Sequence, residues 1–107
     1  MKGLIFYVTE GSFDSLNEIL HKNKVEGISY FDIMGRGKLK REEVEKIIKW
    51  YAYRTGEKFV PDFAPRKRVE VVLPESEAEQ ILTEVKKIGS IKGKVFVYDV
   101  SESYDLP

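Results

Sequence analysis

The feature that most constrains the fold is the order in which two hydrophobic periodicities alternate along the chain. Gly3 to Thr9 is a short apolar, aromatic and β-branched run stopped by Gly11, the pattern of a buried strand. Phe13, Leu16, Ile19 and Leu20 then recur three or four apart, which makes one apolar helical stripe with Ser12 placed to cap it. Ile28 to Met34 returns to a period of two, with Tyr30 and Asp32 on one face and Ser29, Phe31 and Ile33 on the other. Gly35 and Gly37 end that strand. Arg68 to Leu73 alternates again through Val69, Val71 and Leu73, and Pro74 and Glu75 open a second helix. That helix carries Ala78, Ile81, Leu82, Val85 and Ile88 and stops at Gly89, and Val95 to Val100 is the last strand.

The order strand, helix, strand, long connection, strand, helix, strand specifies an α+β, ferredoxin-like βαββαβ fold with both helices on one face of the sheet. A chain of 107 residues has room for one core, so residues 1–107 are expected to form a single domain. Inside the connection, Val44, Ile47, Ile48 and Tyr51 fall at helical spacing, while Glu42 and Glu45 stand four before Lys46 and Lys49. A helix over Glu42 to Tyr53 is expected there. Phe6, Val8, Phe31, Val69, Val71, Phe96 and Tyr98 are more apolar side chains than two helices can cover. The second sheet face is therefore expected to be buried by oligomerisation.

Eighteen basic residues balance eighteen acidic ones, so no overall field would draw the chain to nucleic acid or to an anionic membrane. Basic residues cluster locally, at Arg36, Lys38, Lys40 and Arg41, at Arg66, Lys67 and Arg68, and at Lys86, Lys87, Lys92 and Lys94. With no cysteine there is no disulfide, thiolate nucleophile or thiolate zinc site. No stretch is long enough for a membrane span or a signal-peptide core, and a cytoplasmic location is the expectation. His21, the one histidine, sits among polar neighbours on a helix and is given no role. No nucleophile, base and orienting group can be assembled, so the chain is not expected to be an enzyme.

Three stretches carry a resemblance. Val25 to Lys38 (VEGISYFDIMGRGK), Pro61 to Pro74 (PDFAPRKRVEVVLP) and Gly93 to Val100 (GKVFVYDV) resemble, in order and spacing, segments of the PII nitrogen-regulatory signal-transduction family. The resemblance covers nearly the whole chain. It implies a homotrimer that senses a small anionic effector at clefts between subunits and regulates a transporter or enzyme through its T-loop, here residues about 36–64. Carried over by position, Gly35, Arg36, Gly37 and Lys38 lie at the root of that loop. Arg66 matches a lysine that follows the loop's proline, Arg68 and Glu70 match positions on the third strand, and Gly93 and Lys94 match the phosphate-facing entry to the last strand. The physics agrees, because glycines let an anion approach backbone N–H groups and Arg or Lys supplies charge.

The chain also departs from that family. The stretch before the last strand, Gly89 to Gly93, is shorter or poorer in glycine than the family's loop, and Asp105 and Pro107 stand where relatives carry an Arg-x-Arg pair. Each charge-assisted contact is worth about 1.5–3 kcal/mol, so the loss of two weakens nucleotide binding on the order of a hundredfold or more. The effector is therefore left open between ATP or ADP and a carboxylate such as 2-oxoglutarate or citrate. Phe59 replaces the tyrosine that some relatives modify. Two other readings stand beside the sensor: a ligand-independent protein-interaction module, and a divalent-cation-tolerance-like trimer. The missing cysteines and the single histidine count against the second. No metal site is expected.

Overall fold

The computed structural model describes residues 1–36 and 63–107. Four strands and two helices follow one another as β1 (Lys2–Thr9), α1 (Glu10–Lys22), β2 (Ser29–Gly35), β3 (Ala64–Leu73), α2 (Glu75–Ile88) and β4 (Gly93–Asp99). The strands form one antiparallel sheet in the order β2-β3-β1-β4, as the ferredoxin-like reading requires. The expected helix over 42–53, and most of the expected T-loop, lie outside the described residues.

Register decides which side chains meet the helices. Across the central pair, Leu4 faces Val71, Phe6 faces Val69 and Val8 faces Lys67, and antiparallel partners share a face. On that face Leu4, Phe6, Val8, Val69 and Val71 are buried against Leu16, Ile19 and Leu20 of α1 and Ala78 and Ile81 of α2. Burying each large side chain stabilises the fold by about 1.5–3 kcal/mol. The opposite, open face carries Ile5, Tyr7, Phe31, Ile33, Val72, Phe96 and Tyr98. Phe6, Val8, Val69 and Val71 thus belong to the helix side. The surplus of apolar residues is real, but it comes partly from other residues: Phe31 is 49% exposed, Phe96 47%, Tyr98 42% and Val72 38%.

Three boundaries differ from the expectation by two residues or more. Helix α1 begins at Glu10, so Gly11 and Ser12 lie in its first turn, and Thr9 holds the cap position. Strand β3 begins at Ala64, four residues before Arg68. Its start, including Pro65 opposite Met34, pairs with β2 beyond the end of β1, where a missing N–H is tolerated. Strand β4 begins at Gly93.

Candidate functional site

Alternation along β3 splits the basic triplet. Arg66 and Arg68 point to the open face, paired across β1 with Thr9 and Tyr7, while Lys67 points to the helix side opposite Val8. There Lys67 forms an ion pair with Asp32 on β2, and its ammonium lies 5.5 Å from the Phe13 ring centroid and 5.3 Å from that of Tyr30. The Asp32 hydrogen bond raises the Lys67 pKa above its ordinary value, partly offset by burial. Lys67 is thus held on the helix side, away from the face that carries Arg66 and Arg68.

Arg66 is the most enclosed charge among the described residues. It is 8% exposed, and no described carboxylate pairs with it. Burial alone lowers its pKa from the ordinary value, yet an arginine stays protonated. Its stem lies over Gly35 at the end of β2, where a Cβ would stand 2.8 Å from Arg66 Cδ. Gly35 is therefore the residue that admits the Arg66 side chain. Arg36 follows it and is exposed. Gly37 and Lys38 lie outside the described residues.

One row further along the sheet, Arg68 is held between two rings, its guanidinium carbon 5.8 Å from the centroids of both Tyr7 and Phe31. Its Nη2 donates to Glu70 Oε1 at 2.5 Å, while its buried Nε has no hydrogen-bond partner among the described residues. On β4, Lys94 faces Tyr7 and rests its ammonium 5.0 Å from the Phe96 centroid. Tyr7 and Phe96 meet edge to face at 5.9 Å. Gly93, just before, has a φ of +152°, and a Cβ there would fall 2.0 Å from the Tyr7 carbonyl oxygen, so only glycine fits.

Four of the expected residues, Gly35, Arg66, Arg68 and Lys94, are thereby gathered at one end of the open face, with Glu70 one row away and Gly93, which pairs with Val8 on the helix side, next to Lys94 in the chain. Arg68 and Lys94 are separated by two strand spacings, about 10 Å. Two cations that pair with no carboxylate among the described residues, Arg66 and Lys94, beside a third partly balanced by Glu70, suit a small anion. Tyr7, the ring that links Arg68 to Phe96, was missed from sequence, although its place in the alternation of β1 marks it. Among the described residues no three His, Asp or Glu side chains stand together to hold a metal, and no helix is long and apolar enough to cross a membrane.

The family model described as Nitrogen regulatory protein P-II matches residues 1–106. A protein of Rhizobium meliloti named Nitrogen regulatory protein P-II is 30% identical to this chain, over 95% of it and 88% of the relative. One of the same name from Azospirillum brasilense is 29% identical over the same shares.

Proposed function

Because the chain belongs to the nitrogen regulatory protein P-II family, a family of regulatory signalling proteins, we propose that it is a homotrimeric sensor of a small anionic metabolite. The single observation that carries this reading is the enclosed Arg66, which pairs with no carboxylate among the described residues and is seated on Gly35, at the point where the chain leaves β2 for the long connection. An anion bound there touches the root of the loop, and a ligand shifts a conformational equilibrium only through differential contact with its two states. Arg36, Gly37 and Lys38 at the root, with Lys94 and Gly93 on β4, complete the proposed site, and Arg68 and Glu70 border it.

The exposed rings of Phe31, Phe96 and Tyr98 support self-association through the open face, in keeping with a trimer. The effector is an adenine nucleotide or a carboxylate such as 2-oxoglutarate or citrate, and the loop acts on a transporter or enzyme in the cytoplasm. Asp105 and Pro107, at the positions of the family's Arg-x-Arg pair, favour the carboxylate. A thermal-shift panel of ATP, ADP, 2-oxoglutarate and citrate tests this. At a hundred times its dissociation constant a true effector adds about 2.7 kcal/mol, a midpoint rise on the order of 10 °C. A panel in which no compound moves the midpoint sinks the sensor reading and leaves the ligand-independent interaction module.

A further inference from the structure

The turn between α2 and β4 is tied to the junction of β1 and α1 by one buried hydroxyl. Ser12 is 4% exposed. Its Oγ accepts the Lys92 backbone N–H at 2.9 Å, meets Thr9 Oγ1 at 2.7 Å and donates to the Ser90 carbonyl at 3.5 Å. With Thr9 as the donor in the second of these, the one proton and both lone pairs of the Ser12 hydroxyl are used. The Thr9 N–H donates to the Lys92 carbonyl at 3.1 Å, so both backbone polar groups of Lys92 are held from the same junction.

That junction secures the start of an edge strand. Strand β4 is an edge strand with β1 as its neighbour, and it starts at a glycine, Gly93, opposite Val8. The end of an edge strand that begins with glycine frays readily. Fraying would carry away the next residue, Lys94, together with its place opposite Tyr7. The tie from Ser12 and Thr9 lands one residue before Gly93, where it stops this opening.

We infer that Ser12 is a positioning residue for Lys94: its hydroxyl pins Ser90 to Lys92 and so holds the Lys94 charge on the open face before any ligand arrives. The inference rests on the reading above that Lys94 belongs to the anion site. Its test combines amide exchange with a mutant cycle on the full chain. Ser12→Ala is expected to speed exchange of the Lys92 amide tenfold or more while the Phe6 and Val69 amides of the central pair are unchanged. In titrations with ATP and with citrate, Ser12→Ala is expected to weaken binding several-fold, and Ser12→Ala combined with Lys94→Ala to bind no more weakly than Lys94→Ala alone.

Unchanged Lys92 exchange overturns the inference, and so do effects of the two substitutions that simply add. If Lys94→Ala leaves both affinities untouched, the anion-site reading of Lys94 fails and takes the positioning role with it. A Lys92 exchange change in that setting marks Ser12 as a structural tie only. Should Ser12→Ala not fold, Ser12→Cys keeps the size of the side chain with a weaker acceptor and serves in the same cycle.

Discussion

The stem of Arg66 lies across the backbone of Gly35 so closely that a Cβ on residue 35 would stand 2.8 Å from Cδ. That contact joins the last residue of β2 to the most enclosed cation of β3, at the place where the chain enters the long connection. Gly35→Ala must push the guanidinium off its seat. The expected outcome is a loss of most of the effector-induced midpoint rise in a thermal-shift assay, with the ligand-free stability lowered by only about 1 kcal/mol. An unchanged effector response would separate Arg66 from the site.

Gly93 has a harsher constraint, since its added Cβ would meet backbone and not the end of a flexible side chain. With an unfavourable φ as well, Gly93→Ala is expected to cost about 2–4 kcal/mol in urea unfolding. A loss below about 0.5 kcal/mol would mean that the entry to β4 relaxes easily.

Leu16 is fully buried between α1 and the sheet. Leu16→Ala is expected to destabilise the chain by about 2–5 kcal/mol with no new binding behaviour beyond that loss. Equilibrium denaturation checks the magnitude.

The pair of Lys2 and Asp99 fixes the outer end of β1 against β4 and gives a pH dependence with a definite sign. The Lys2 hydrogen bond, followed by its charge, lowers the Asp99 pKa from 3.8, and the Asp99 hydrogen bond, followed by its charge, raises that of Lys2 from 10.5. A lowered carboxyl contributes stability above its unfolded pKa and loses it as pH falls through the lowered value. A raised ammonium contributes below its unfolded pKa and loses it as pH rises through the raised value. Wild type is therefore expected to exceed Asp99→Asn in midpoint at neutral pH, with the gap closing below pH 3.8 and again above pH 10.5. A gap that does not change with pH would assign the effect to something other than the ion pair. The effect is small because both groups are solvated.

Phe96 is 47% exposed on the open face, on the edge strand β4. Light scattering is expected to return three times the 12.4 kDa chain mass for wild type, and the single-chain mass for Phe96→Lys. A wild-type chain that runs as a monomer would remove the trimer from the account.

Much of this fold was legible because periodicity and punctuation agree. Leu16, Ile19 and Leu20 announce one stripe, Ala78 and Ile81 another, and Gly89 stops the second helix as expected. Ser12 shows why boundaries were less legible: its hydroxyl suits a cap, but besides Thr9 it bonds the backbone of Ser90 and Lys92, some eighty residues away. Sequence spacing does not report such partners. Phe6, Val8, Val69 and Val71 were counted with Phe31, Phe96 and Tyr98 without a face because apolar character alone does not say which side of a sheet a residue takes, and the register with β3 does. The split of Arg66 and Arg68 from Lys67 was available in the period of two, but Pro65 and the run of charge hid the start of β3 at Ala64.

The central claim is that Arg66, at the root of the loop, and Lys94, on β4, bind a small anionic effector. Isothermal titration of ATP, ADP, 2-oxoglutarate and citrate into wild type, Arg66→Met and Lys94→Ala tests it most directly. The account predicts saturable binding of at least one of these compounds to wild type, weakened about tenfold or more in each variant, as the loss of one charge-assisted contact requires. Binding of equal strength in all three proteins, or no binding of any compound to wild type, would contradict it.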